Sequence, residues 1–471
     1  MVDILNNSGQ YGPPPAVGNG RLAMRATRKS AVPPTHFLIE LYNRDHLATV
    51  YGEEFAVAAL CALQRRVGGW GGLVVAADAW RFLVTLPRRT ERGDDNAPAA
   101  DTQPLVERWQ LALNAAPFMH AARRALLVVG VDRVALGVGR NEAGEGLCPL
   151  RQIECRSGAV PELAPPQCGW AWRFDYQSDM AAALAFHRAL SQRRASLVFQ
   201  PIVCARRLAA KPKGASERTS LSGQLYQEAL LRLSMLRDEP DLSPGGLVAA
   251  LERLGLVCLL DRAVLSAVIR RLETHPGLRL GCNLSAMSLA PDQGWWSGLL
   301  DRLRTQPTVA ARLTLEITET AALPDFERAV AFVRQLKSLG CQIAVDDFGS
   351  GHTRLDFVRA IEPTIIKISG EWVEAATVSR AATDQLQRLG GLAAALSSHV
   401  VAEGIGSQEH VAAAYVAGVD WMQGVVAAAP VPARPRVVLA LPREAAADDA
   451  SQVPTHPDAL PRMRREPAGI G

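Results

Sequence analysis

Carboxylates and carboxamides recur in this sequence at one kind of place, the ends of short apolar runs. The runs LVFQPIV, LYQEALLRL, LRLGCNLSA, RLTLEITE, CQIAVDDFG, TIIKIS, HVVAEGI and WMQGVV carry, in order, Gln200, Glu228, Asn283, Glu316 with Glu319, Asp346 with Asp347, Lys367, Glu403 and Gln423. An unpaired charge is expensive to bury, so each of these residues needs a partner or a ligand. A single Glu at a strand end is ordinarily a solvated side chain; the same feature on run after run is not. Several oxygen donors and one Lys on a shared rim form a site for hard divalent cations such as Mg²⁺ or Mn²⁺. Two such ions about 3.5–4 Å apart would stabilise the attacking and leaving oxygens of an in-line phosphoryl displacement.

Two members of this set need a local argument. In a regular strand Asp346 and Asp347 point to opposite faces, but the FGSG that follows predicts a backbone turn that lets both reach a metal. Lys367, one of five lysines in the chain, lies inside TIIKIS and must be paired there; the acidic cluster supplies the pairing. Gln200, Gln423 and Arg232 are open between ordinary surface or hydrogen-bonding residues and contacts to a ligand.

The elements that must position these residues can be read from the same pattern. Between residues 180 and 432 the eight runs alternate with helical stretches such as LLDRAVLSAVIRRLE and DFERAVAFVRQLKSLG, which predicts an α/β fold, a (β/α)8-type barrel with its strand ends at one mouth. Residues 35–160 read as a smaller α/β domain. It has a strand at HFLIELYN, a helix through EEFAVAALCALQRRV, and strands at GLVVAAD and WRFLVTLP. The loop TERGDDNAPAADTQ, the helix PLVERWQLALNAA and the strand ALLVVGVDRVALGVG follow. Residues 1–34 read as a flexible leader and 161–179 as a Pro-rich linker, with the next helix beginning at Met180. Residues 433–471 read as a disordered tail.

Composition narrows the class. Of 471 residues, 48% are hydrophobic and 21% charged, which excludes a mostly disordered or collagen-like chain. A net charge of +4 from 51 basic and 47 acidic residues gives no whole-chain attraction for a nucleic-acid polymer or an anionic membrane. The eight cysteines form no C-x-x-C pair, and no run approaches the 18 or so apolar residues of a membrane span. The reading is a cytoplasmic protein.

With these residues in view, the region from about 180 to 432 resembles the EAL phosphodiesterase domain, which hydrolyses cyclic di-GMP to linear pGpG. The resemblance runs through QPIV (200–203), EALLR (228–232), NLSA (283–286), EITE (316–319), DDFGSG (346–351), IKI (366–368), AEGI (402–405) and QG (423–424). It implies a barrel whose first strand is antiparallel to the rest, and Glu228, Asn283, Glu316 and Asp346 as metal ligands. Asp347 and Glu403 would complete a second metal or activate the water. It further implies that Lys367 holds the nucleophilic water or a phosphate oxygen, that Gln200 and Arg232 contact the dinucleotide, that Gln423 lines the site, and that Glu319 anchors the loop after DDFGSG. Turnover would use Mg²⁺ or Mn²⁺, with Ca²⁺ inhibitory, and a homodimer through this domain is implied. The chain departs from the family at Ser369 and Gly406, where carboxylates are usual, and in a longer basic stretch, ARRLAAKPKGASERTSLSG, read as an exposed hairpin loop.

Residues about 35 to 160 resemble, more faintly, a GGDEF domain, with Asp78-Ala79-Trp80-Arg81-Phe82 in place of Gly-Gly-Asp-Glu-Phe. Without the glycines the backbone cannot approach a triphosphate, and without the acidic pair little would hold Mg²⁺. The expectation is therefore no cyclase activity and a regulatory role, by docking, dimerising or binding a protein partner. Two alternatives to the enzyme stand beside it: a non-hydrolysing cyclic di-GMP receptor and a protein-interaction scaffold.

Overall fold

The computed structural model of the chain describes residues 35–86, 103–114, 116–134, 163, 165–167, 169–209, 223–234, 243–289, 296–318, 325–350 and 355–440. The expected leader, the loop at 90–102, most of the basic stretch, Glu319 and residues 441–471 lie outside them.

The N-terminal elements are β1 (Thr35–Leu41), α1 (Arg44–Tyr51), α2 (Glu53–Gly69), β2 (Leu73–Ala77), β3 (Arg81–Leu86), α3 (Gln103–Asn114), β4 (Phe118–His120), β5 (Arg123–Ala125) and β6 (Val129–Val134). Four strands form one antiparallel sheet in the order β2-β3-β1-β6, and β4 pairs only with β5. Period two on β1 sends Phe37, Ile39 and Leu41 into a core shared with Phe55 and Leu63 of α2 and Trp109 of α3. The short α1 and the β4–β5 hairpin were not expected, because runs of three to eight residues carry too little periodicity to stand out.

Next come α4 (Trp170–Ser191), β7 (Ala195–Cys204), α5 (Ala205–Ala209), β8 (Gln224–Leu233), α6 (Pro244–Arg253), α7 (Val257–Thr274), β9 (Leu280–Ser285), α8 (Trp296–Thr305), α9 (Pro307–Ala310) and β10 (Leu313–Thr318). The chain continues through α10 (Phe326–Ser338), β11 (Gln342–Phe348), α11 (Leu355–Ile361), β12 (Ile365–Ile368), α12 (Gly370–Val378), α13 (Arg380–Leu396), β13 (His399–Ala402), α14 (Gln408–Val416), β14 (Trp421–Met422) and β15 (Val431–Val438). Strands β8 to β14 are parallel neighbours, and β7 runs antiparallel to both β8 and β14, closing an eight-strand barrel. The antiparallel first strand agrees with the resemblance. Helix starts follow local chemistry: Ser243 caps α6 ahead of Pro244, and Asp325, Ser379 and Ser407 cap α10, α13 and α14 through their side-chain oxygens.

Two expectations need correction. The helix expected from Met180 begins at Trp170, inside the stretch read as linker. The aromatics Trp170, Trp172, Phe174 and Tyr176 fall at every second position and hide a helical period. Within α4, Tyr176 and Met180 reach the N-terminal elements: Asn43 bonds the Tyr176 hydroxyl, and the Leu126 N–H donates to Met180 Sδ at 3.2 Å. The same helix holds Arg253 of α6 through Asp179 at 2.7 and 2.8 Å. The second correction concerns the tail. Residues 433–438 belong to β15, which pairs antiparallel with β7 through Val431–Phe199, Pro432–Val198, Val437–Leu197 and Val438–Ser196. Prolines suggested disorder, but an edge strand with an irregular middle tolerates them, and Leu439, fully buried, donates its N–H to the Ala195 carbonyl.

Candidate functional site

The barrel interior is built in two layers, and period two on each strand makes them. Ile202, Tyr226, Ala344, Ile365 and Val401 form a separate apolar floor. Two residues further toward the mouth stand Gln200, Glu228, Asp346 and Lys367 on the same strands, with Glu403 just past the end of β13. Because β7 is antiparallel, Gln200 reaches this layer by preceding Ile202. It is therefore not at the mouth end of its strand, as expected, but in mid-strand directly across from Glu228.

Lys367 organises the layer. Its ammonium, on a side chain with 0% exposure, lies 2.6 Å from Glu316 Oε2, 2.8 Å from Glu403 Oε1, 3.0 Å from Asp346 Oδ1 and 3.1 Å from Glu228 Oε2. Glu228 also accepts from Asn283 Nδ2 at 2.7 Å and from Gln423 Nε2 at 2.5 Å. Gln423 Nε2 is 3.4 Å from Gln200 Oε1, and Gln200 Nε2 donates to the Ala428 carbonyl at 3.1 Å. Arg232, four residues further along β8, is exposed, and its guanidinium donates to the Leu231 carbonyl at 2.8 Å. The structure thus brings together Gln200, Glu228, Asn283, Glu316, Asp346, Lys367, Glu403 and Gln423. Arg232 stands at the rim.

The turn expected at FGSG is present and begins one residue earlier than that motif. Left-handed φ occurs at both Asp347 (+54°) and Gly349 (+92°), and the β11–β12 register breaks between Val345 and Phe348. Asp is among the few residues that visit this conformation readily. Its N–H donates to Asp346 Oδ1 at 3.1 Å and its carbonyl accepts from the Ser350 N–H at 3.1 Å.

Electrostatics set the charge of the layer. Burial pushes Glu228 up, but the Lys367 ammonium and the bonds from Gln423, Lys367 and Asn283 outweigh it and hold the carboxyl below its ordinary value. Burial and the Glu228 charge push Glu316 well above its ordinary value. Burial raises Asp346, and burial together with the Asp346 charge raises Glu403 to about 8. Burial would lower Lys367, yet Asp346, Glu228, Glu316 and Glu403 keep it well above the ordinary lysine value. One ammonium is too little positive charge for four carboxyls.

The donor set fits a divalent cation. Oxygens of Glu228, Glu316 and Asp346 lie within 4.8 Å of one another. Asn283 Oδ1, Gln423 Oε1 and Glu316 Oε1 are buried without a hydrogen-bond partner, an arrangement that costs free energy unless a ligand takes them. All are hard oxygen donors.

Two residues that shape the site were not singled out in the sequence. Gly281 sits opposite Glu228 in register, and a Cβ there would lie 2.4 Å from Glu316 Oε1 and 2.4 Å from Tyr226 Cε2. Tyr226 fills that space from the floor, fully buried. Its place two before Glu228 was legible; the need for Gly281 depends on cross-strand register, which one run cannot give. Ser369, after β12, is buried and brings no carboxylate, and a Cβ at Gly406 would meet the Gly404 carbonyl at 3.7 Å and the His410 ring at 3.9 Å, both ordinary contacts.

Comparison with known proteins follows the same region. The family model described as EAL domain matches residues 183–430. The chain is 30% identical over 215 residues to a probable cyclic di-GMP phosphodiesterase, PdeA of Escherichia coli, covering 45% of this chain and 29% of that protein. It is 26% identical over 261 residues to the cyclic di-GMP phosphodiesterase PdeB of Shewanella oneidensis, covering 53% and 28%. It thus spans under a third of the length of these relatives. Among solved structures, a MucR phosphodiesterase in complex with cyclic di-GMP matches with a TM-score of 0.45 at 24% identity, covering 54% of this chain and 98% of that one. The FimX EAL domain from Pseudomonas aeruginosa bound to cyclic di-GMP matches with a TM-score of 0.43 at 23% identity, covering 53% and 96%. The family model spans more than half of the 471 residues, over the barrel that holds the carboxylate layer, and the chain belongs to the EAL domain family.

Proposed function

We propose that the chain is a metal-dependent phosphodiesterase that hydrolyses cyclic di-GMP to pGpG. The observation that carries this reading is the buried layer of Glu228, Glu316, Asp346 and Glu403 around Lys367. Glu228, Asn283, Glu316 and Asp346 would hold one Mg²⁺ or Mn²⁺, with Asp347 and Glu403 serving a second. Bound metal supplies Lewis acidity toward the phosphodiester oxygens. Lys367 holds a water or phosphate oxygen near the carboxylates, and Glu403, 2.8 Å from the Lys367 ammonium, stands beside that position to take a proton from the water. Gln200, Gln423 and the rim residue Arg232 orient the dinucleotide, and Glu319 is assigned to anchoring the loop after β11.

The N-terminal elements serve a regulatory role with no cyclase activity. Asp78, in the hairpin between β2 and β3, accepts from the N–H groups of Trp80 and Arg81 and pairs with the Arg81 guanidinium at 3.0 Å. Glu40 pairs with the same guanidinium at 3.5 Å. Arg81 therefore takes up the acids that a nucleotide-bound metal would need.

A second reading, a non-hydrolysing receptor, is favoured by Ser369, which leaves the exit of β12 without a carboxylate. Chromatographic turnover of cyclic di-GMP by the purified chain in Mg²⁺ and in Mn²⁺, with Glu228→Ala as control, separates the two. Metal-dependent pGpG that vanishes in the variant is the expected result. Binding without product from folded protein would establish the receptor instead.

A further inference from the structure

The exit of β9 is gripped from the helix layer by two carboxylates that the phosphodiester chemistry does not use. Asp261, on α7, is 6% exposed, and its Oδ2 accepts the backbone N–H of Ser285 at 3.0 Å. The Ser285 hydroxyl donates to Glu252 Oε1, on α6, at 2.7 Å and accepts the Met287 N–H at 3.3 Å. Met287 lies in a 3-10 turn, Ala286–Ser288, whose last carbonyl accepts the Trp296 indole N–H from α8 at 2.8 Å. The last residue of β9 is thus tied through both its backbone and its side chain. Two residues upstream is Asn283, with Nδ2 on Glu228 and Oδ1 unpartnered.

A buried N–H at a strand end needs an acceptor, since leaving it unpaired costs about 1–3 kcal/mol. Any carbonyl or hydroxyl would serve. A buried carboxyl is the costlier choice, and burial has pushed Asp261 up to about 7. What this side chain adds is an acceptor from α7, outside the sheet, that ties the end of β9 to the helix layer. A carboxamide ligand two residues away gains from that tie, because a metal donor must be fixed to within about 0.5 Å.

We propose that Asp261 and Glu252 are positioning residues: their grip on Ser285 fixes the end of β9 and sets the Asn283 carboxamide against Glu228 for cation binding. This rests on the reading of the carboxylate layer as a metal site. Groups that orient a ligand in this way alter metal affinity about 10–100-fold when removed.

The test is calorimetric titration of the full chain with Mn²⁺ alone, with circular dichroism on each variant. Asp261→Ala is expected to weaken Mn²⁺ binding at least about tenfold. Asp261→Asn keeps an acceptor oxygen and should stay within about threefold of the parent. Ser285→Ala and Glu252→Gln remove one arm and should weaken binding about three- to tenfold. A folded Asp261→Ala with parental affinity overturns the proposal, as does an Asn variant as weak as Ala. If Asp261→Ala does not fold, parental affinity in both folded single-arm variants overturns it. If the parent binds no Mn²⁺, the metal-site reading falls first and the proposal with it.

Discussion

Lys367→Met keeps most of the side chain's length and removes the ammonium that lies among four buried carboxyls. At an effective dielectric near 20, one ionised pair about 3 Å apart gains about 5.5 kcal/mol before desolvation is counted. Glu228, held ionised, supplies such a partner, whereas Glu316, Asp346 and Glu403 are raised and carry less charge near neutrality. Removing one member of a buried pair costs about 3–5 kcal/mol, because the survivor stays buried without its partner. The variant should therefore be less stable by about 3–5 kcal/mol in urea unfolding with chelator at neutral pH, followed by tryptophan fluorescence. The pH dependence has a definite sign. Without the ammonium Glu228 loses the charge that holds it down and the other three carboxyls rise further above their unfolded values, so the penalty grows as pH rises above those values. The gap between variant and parent should narrow as the pH falls toward 5. Mn²⁺ should narrow it as well, because an ion that binds only the folded state stabilises it by mass action and here replaces the missing charge. Equal stability in chelator, or a gap that widens on acidification, would refute the account of the layer as carboxyls short of positive charge.

Three further predictions follow from the same geometry. Gly281→Ala places a methyl group 2.4 Å from Glu316 Oε1 and from the Tyr226 ring; calorimetry should show Mn²⁺ affinity down at least about tenfold, with a stability loss of about 1–3 kcal/mol. Asp261 binds a proton in the folded state up to about pH 7, against an ordinary value of 3.8. Stability should therefore fall as pH rises between those values by up to about 1.4 kcal/mol per unit, and Asp261→Asn should flatten the urea midpoint over that window. Gly404 has a φ of +65° and a Cβ there would lie 2.9 Å from Gly370 Cα, so Gly404→Ala should cost about 2–4 kcal/mol and, by displacing Glu403, lower turnover in the chromatographic assay.

The acidic layer was legible because each of its members breaks an apolar run, and period two then puts Glu228, Asp346 and Glu403 two residues beyond the floor residues Tyr226, Ala344 and Val401. Position along a run says nothing of direction, however. The antiparallel course of β7 came only from the family resemblance, and it puts Gln200 in mid-strand. The turn expected at glycine is present at Gly349, but the second left-handed residue, Asp347, was not expected, because Asp is the less frequent occupant of that conformation. The grip of Asp261 and Glu252 on Ser285 joins two helices to a strand end, and the pairing of β15 with β7 joins residues more than 200 positions apart in the chain. Contacts of that kind leave no mark on either local pattern.

That last pairing bears on synthesis. The strand β7 leaves the ribosome well before β14 and β15, which among the described residues cover its second edge and end at Met422 and Val438. At about 5–20 residues per second, roughly 10–50 s of translation separate the first barrel strand from the elements that complete it. Through that interval an apolar strand containing Leu197, Phe199 and Ile202 has an open edge, the kind that invites pairing with another chain. For the barrel to close, that edge has to stay clear of other chains until its own later strands arrive.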